Sequence, residues 1–322
     1  MHGGAPRGTR MNDGIHLGLE LVRDLRSRAE AAGLECADWP GGFSWHPCGV
    51  SQRVWSEPSL GQRGTPTWRV QVRSHLGGGF DGSPTRLAAL SLDMTSSALS
   101  AVVRDEDGRS RLELASTLHV HAGNPGWAAN LIGFVAWLQA TEASRLATGR
   151  FGPGADDTWP PGHAHQAELA PAAAGWLDAP PWARAEVEAC VALLADSLGV
   201  RAVAMPHGLA ASVPLTDPPG GGLALLELDT NASWPGLGRG LLVSLVAPGG
   251  GGVREALALN ERETLPGWDT DLLGGWSAGR DLLLHTAFFP DAVHHDGLLT
   301  AVVEGAVRRV ESVLRPCRRG RQ

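Results

Sequence analysis

The chain has 322 residues, enough for two domains that each bury roughly two-thirds of their unfolded surface. Hydrophobic residues make up 43% and charged residues 19%, a globular balance, while 43 Gly and 22 Pro promise many turns. A net charge of −7 argues against nonspecific nucleic-acid binding, which needs a basic surface, and no apolar run reaches membrane-spanning length.

Residues 1–12 read as a flexible leader without a secretory apolar core, so a cytoplasmic protein is expected. A helix follows. Ile15, Leu19, Val22, Leu25, Ala29 and Ala32 recur at three- and four-residue spacing, Asn12 or Asp13 can cap it, and Gly33 can supply a left-handed exit. Strand-like runs come next: "GFSWHP", "SQRVWSE" and "TWRVQVRSH". In the third, Trp68, Val70 and Val72 alternate with Arg69, Gln71 and Arg73, which predicts a sheet with one wet face. A short helix at "AALSLDM", the strands "LSAVVRDE" and "RLELASTLHVH", and a long helix bearing Trp127, Leu131, Phe134 and Leu138 complete the first half.

Residues 147–180 are dense in Pro, Gly and Ala, lack a sustained period, and read as a linker. Asp178 with Pro180 and Pro181 then opens a second helix, with Ala183, Val187, Val191, Leu194 and Leu198 as its stripe and Gly199 as its exit. The strands "RAVAMP", "LAASVPL", "LALLELDT", "GLLVSLVAP", "GGWSA" and "DLLLHTAFF" follow, with "ALALNER" between the fourth and fifth. "GLGRG" and "GGGGV" read as hairpin turns, because the latter lacks the Lys-Ser/Thr of a phosphate loop and the former precedes a strand. A last helix carries Leu299, Val302, Ala306, Val310 and Val313, and residues 315–322 form a solvated basic tail.

The halves repeat one another. Gly33 and Gly199 lie 166 residues apart, Leu90 and Leu257 167, Leu131 and Leu299 168, and Gly108 and Gly279 171. Ordered agreement of helix, strand and helix implies a duplication, with domains at 13–146 and 181–314. Helices bracketing an antiparallel sheet, twice over, imply an α+β fold with helices on one face of each sheet.

Motifs for chemistry are sparse. Cys36, Cys48, Cys190 and Cys317 are scattered without a CxxC pair, and Cys190 falls on an apolar helix stripe. His163 with His165, and His294 with His295 and Asp296, lack the four paired ligands of structural zinc, so neither metal nor cofactor is expected. His46 and Cys48 could form a nucleophile pair, but no orienting third group can be named and loop residues are the plainer reading. Twelve Trp against six Phe is unusual, and the loop residues Trp39, Trp45, Trp55, Trp159 and Trp234 could anchor a partner.

The order helix, three strands, short helix, two strands, helix is similar to the YbjN and type III secretion chaperone-like superfamily of bacteria. The likeness is carried by "ALSLDM", "GRSRLELASTLHVHAGN" and "NLIGFVAWLQATEASRL", and again by "ALALNERET", "GRDLLLHTAFFPDAV" and "LLTAVVEGAVRRVESVL". The resemblance implies two tandem chaperone-like domains, a non-enzymatic role in holding a partner polypeptide, and an internal pseudo-dimer within a monomeric chain. Strand addition or docking on the helix-free face would supply the contacts, with Arg69, Gln71 and Arg73 on the wet face and Trp45 and Trp55 as anchors. An enzyme of unknown substrate, a hydrolase using His46 and Cys48, is the alternative, with a structural or regulatory assembly subunit as a third.

Overall fold

The computed structural model describes residues 17–60, 66–78, 83, 86–91, 100–106, 109–146, 182–215, 222–234, 237–248, 252–266, 268, 271 and 273–313. The expected leader, linker and basic tail lie outside the described residues. The first unit runs α1 (Leu17–Ala31), β1 (Cys36–Trp39), β2 (Gly42–Trp45), β3 (Gln52–Leu60), β4 (Pro66–Gly78), short α2 (86–91), β5 (Ser100–Glu106), β6 (Arg109–Val120) and α3 (Pro125–Leu146). The second runs α4 (Arg184–Asp196), β7 (Arg201–Met205), β8 (Gly208–Pro214), β9 (Leu223–Trp234), β10 (Gly238–Pro248), α5 (Gly252–Glu263), β11 (Gly275–Ala278), β12 (Leu282–Pro290) and α6 (Leu298–Val313).

Each unit holds its own six-stranded antiparallel sheet, and the two sheets have the same order: β1-β2-β3-β4-β6-β5 and β7-β8-β9-β10-β12-β11. The α+β class and the duplicated layout are thereby shown. Four strands, rather than three, precede the short helix in both units. In the first unit the extra strand is β1, four residues long with three of them exposed, which leaves no alternation to read.

Local chemistry repeats with the topology. α1 buries Val22, Leu25 and Ala29, and α4 buries Val187, Cys190 and Leu194, one stripe each. Both helices end on a left-handed glycine, Gly33 at φ +82° and Gly199 at φ +62°, where a side chain would be strained. The next residue, Leu34 or Val200, folds back to donate its N–H to Ala29 O (3.0 Å) or Leu194 O (2.8 Å). The first hairpins match as well. Pro40-Gly41-Gly42 corresponds to Pro206-His207-Gly208, and a Cβ on Gly42 or Gly208 would strike the carbonyl oxygen of Val54 or Leu228.

The units join reciprocally. Asn260 on α5 donates to Ala101 O of β5 and to Trp276 O of β11, both at 3.1 Å, and accepts from Trp276 N at 2.8 Å. In return Ser91 on α2 accepts from Ala278 N of β11 at 3.1 Å and donates to Ala278 O at 3.2 Å. Each middle helix therefore reaches the other unit's edge strand. Asp271 adds a clamp, accepting from His119 N at 2.6 Å and lying 3.0 Å from His119 Nδ1. Nearly all buried apolar side chains of both units form one contiguous cluster. Among the described residues no helix is long and apolar enough to cross a membrane.

The terminal helices differ. α3 lies directly on β4 and β6, tied down by a polar seam: Trp45 Nε1 donates to Gln52 Oε1 (2.7 Å), and Gln52 Nε2 donates to Ser74 Oγ (2.7 Å) and Ala136 O (2.9 Å). α6 approaches its own sheet far less closely. It is held from the side, where Arg309 Nε meets Glu263 at 2.9–3.0 Å and Trp276 Nε1 donates to Glu263 Oε1 at 2.6 Å.

Candidate partner-binding face

A strand's side chains alternate between the two faces of its sheet, so the helix-free face of each unit can be traced through the register. In the first sheet it carries Trp55 and Glu57 on β3, Arg69, Gln71 and Arg73 on β4, and Glu113, Thr117 and His119 on β6. The expected wet face does not hold: Arg69 is 1% exposed, Gln71 4% and Arg73 7%. Their charges and amides engage one another. Glu57 accepts from Arg69 Nη1 at 2.8 Å and from Gln71 Nε2 at 2.6 Å, while Arg73 donates to Gln71 Oε1 at 2.8 Å and lies 3.4 Å from Glu113. Arg69 Nη2 also donates to Thr264 O of the second unit at 2.5 Å. The alternation in "WRVQVR" is real, but these polar groups are buried and find partners within the protein, on β3, β4 and β6 and at Thr264.

The two Trp anchors fare differently. Trp45 is 2% exposed, packs edge-on against Phe43 at 5.4 Å and gives its N–H to Gln52, so it is a core residue. Trp55 is half-buried, with the Arg73 guanidinium 5.4 Å from its ring.

His46 and Cys48 flank Pro47 at a 3₁₀ turn over Pro47–Gly49, with Cys48 in the left-handed region at φ +53°. Burial pushes the Cys48 thiol up, only partly opposed by a hydrogen bond with Thr141, whereas a nucleophile needs its thiolate favoured. The Cys36 thiol is pushed up to about 11, by burial and then by the charge of Glu30. His294 meets Glu186 at 2.9 Å and Trp182 edge-on at 4.7 Å, a packed side chain. Among the described residues no group of His, Cys, Asp or Glu could hold a metal, and His163 and His165 lie outside them.

The second sheet presents the opposite surface. Over the first six residues of β9 the burial alternates strictly: Ala224, Leu226 and Leu228 face the core while Leu223, Leu225 and Glu227 face out. Register carries the outward row across the sheet, Ser212 to Leu225 to Val246 to Leu284, and Pro214 to Leu223, with Pro248 beside Leu282. Val203 is 63% exposed, Leu223 59%, and Leu225 and Leu282 46% each. At the far end Trp234 stacks on Phe288 at 5.3 Å and covers that ring. The face ends at β7, which pairs only with β8 and leaves its other edge unpaired among the described strands.

The sequence marks these residues as strands and not as a site. The available signal was "LALL", apolar at both parities, which marks a strand with both faces suited to cover. No family model, no curated protein and no solved structure matches this chain.

Proposed function

We propose that the chain is a non-enzymatic, chaperone-like protein that holds an extended, apolar segment of a partner polypeptide on the helix-free face of its second sheet. The observation that carries this reading is the group of large apolar side chains, Val203, Leu223, Leu225 and Leu282, left open on the outward face of one sheet. Exposed apolar area of this kind marks an interaction surface. An extended segment fits it physically. Its own side chains repeat every second residue, as the rows beneath it do, and the open edge of β7 offers main-chain donors and acceptors for strand addition.

The test uses the full chain and dithiothreitol-reduced insulin, whose B chain exposes extended apolar segments as it aggregates. Equimolar wild-type protein is expected to suppress the light scattering, and the double variant Leu223→Glu/Leu225→Glu is expected to lose that suppression while melting at the same temperature. Equal suppression by both, or none by the wild type, overturns the reading. Light scattering on the protein alone reports whether a second copy occupies the face instead: a dimer that the double variant dissolves would also overturn it.

A further inference from the structure

The outermost strands of the two sheets, β1 and β7, are equivalent in the fold and unlike in chemistry. Each opens a hairpin whose second strand lies further in, so Cys36–Trp39 matches residues 202–205 one for one. On β1 the third of these is Asp38, opposite the buried Phe43 and so on the core side of the sheet. Its side chain is 92% exposed at the rim and lies 2.7 Å from Arg26 of α1. An inward-pointing charge on an open edge opposes edge-to-edge pairing, because a second sheet brought alongside would strip its water. On β7 the same position is Ala204, opposite the buried Leu209. Neither a proline nor a charge interrupts residues 202–205, and Val203, Ala204 and Met205 are exposed.

The register fixes which main-chain groups of β7 are open. His207 turns its carbonyl to β9, where Thr230 N donates to it at 2.7 Å. Antiparallel bonding alternates along a strand, so Gly208, Ala210 and Ser212 bond instead to β7, at Met205, Val203 and Arg201. The N–H and C=O groups of Ala202 and Ala204 therefore point away from the sheet. A second β7, antiparallel about a two-fold axis at Val203, sets Ala202 opposite the partner subunit's Ala204, and the reverse. Every one of these groups is then bonded across the edge. Val203 meets the partner subunit's Val203 as a non-hydrogen-bonded pair, the closer kind, which suits β-branched side chains. Arg201 falls opposite the partner subunit's Met205, so no like charges face each other.

We propose that the open edge of β7 pairs with the β7 of a second copy of this chain, joining the two second-unit sheets into one continuous sheet. The axis stands normal to the sheet, so both outward faces stay on one side. The partner subunit's Val203 and Met205 then extend the apolar face to which Val203 and Leu225 belong. Two strands of five residues make a small contact, short of the roughly 1,000 Å² that a stable interface needs, so the dimer dissociates on dilution. A bound segment that adds a strand to β7, as in the partner-binding reading, takes the second copy's place. The dimer itself does not rest on that reading, since Leu223 and Leu225 lie on β9, two strands in from the edge.

Sedimentation velocity on the full chain over a range of concentrations tests the contact. The mass is expected to rise from 33.8 kDa towards twice that value as the concentration increases. Ala204→Asp, which gives β7 the charge that guards β1, should keep the chain monomeric throughout and leave its melting temperature within error of the wild type. If that variant fails to fold, Val203→Lys, at a side chain 63% exposed, sets like charges opposite each other at the axis and should do the same. Leu223→Glu/Leu225→Glu should dimerise as the wild type does, which separates this edge contact from pairing through the apolar face. A monomer at every concentration, a dimer that survives both edge variants, or one that Leu223→Glu/Leu225→Glu dissolves overturns the proposal.

Discussion

The two units share strand order, helix exits and hairpin geometry, yet they treat the same two surfaces in opposite ways. In the first, the helix-free face is polar and closed: Arg69, Gln71 and Arg73 are buried against Glu57 and Glu113, and α3 is bolted to the sheet through Gln52. In the second, the part of that face around Leu223, Leu225 and Leu282 is apolar and open, and α6 stands off its sheet over a cleft. The two copies thus differ in what they leave open: one buries and cross-links its outer face, and the other exposes the large apolar side chains on which the proposed docking rests.

The contrast breaks most visibly at Arg69. Replacing it with Met leaves Glu57 one donor short and removes the donor to Thr264 O, which ties the platform to the second unit. Losing one partner of a buried pair costs about 3–5 kcal/mol, and the lower end applies because Glu57 is a third exposed. Urea denaturation should show the loss as a lower midpoint with an unchanged slope. A midpoint within error of wild type would mean that the first unit's outer face is not the platform described above.

Asn260→Ala tests the join between the units. The change strips partners from Ala101 O, Trp276 O and Trp276 N at a residue with 0% exposure, and unsatisfied buried groups cost about 1–3 kcal/mol. Hydrogen exchange is the sharper readout: amides of β5 and β11 should lose protection together, although they belong to different units. Loss confined to β11 would show that the contact serves the second unit alone.

A pH titration separates the cores. Burial, and then the charge of Arg309, hold the His285 imidazole well below its ordinary value of 6.5. Between that folded value and 6.5 the unfolded chain binds the extra proton and the folded chain does not. Stability present above about pH 6.5 is therefore lost as the pH falls below it, at a slope approaching about 1.4 kcal/mol per pH unit. His285→Gln should flatten that slope. An unchanged acid limb in the variant would place the sensitivity elsewhere.

Much of this architecture was legible in the chain. Gly33 and Gly199 announce left-handed helix exits, and the order of landmarks at a nearly constant offset announces the duplication, because backbone requirements of this kind leave residue-level traces. The sites were less legible. "WRVQVR" shows that Arg69, Gln71 and Arg73 share a face, but Glu57 and Glu113 approach only once β3 and β6 are laid beside β4, and pairing between strands has no local signature. Trp45 misled for a similar reason. Its partner Gln52 lies seven residues on, across a hairpin, and turns a loop-like aromatic into a buried one. Conversely, the open face of β9 looks like core in sequence, since a leucine that awaits a partner is the same residue as a leucine that has one.

The smallest expected change in stability is the most informative about that face. Leu225 is the third residue of β9, 46% exposed, with Ser212 and Val246 on either side in the outward row. A glutamate there meets solvent and leaves Leu226, on the core side of the same strand, untouched. Surface substitutions away from caps, cavities and ion pairs fall within about 0.5 kcal/mol, so Leu225→Glu should leave the denaturation midpoint nearly unmoved. A charge on that face should nevertheless prevent the proposed docking of an apolar segment, because desolvating it without a partner opposes binding. The matched control is Gln71→Glu at the heart of the first unit's closed face, where a carboxylate would meet Glu57 at the position its amide now occupies, 2.6 Å away. That change should destabilise the fold. If Leu225→Glu proves the more destabilising of the two, the assignment of one closed and one open face is reversed.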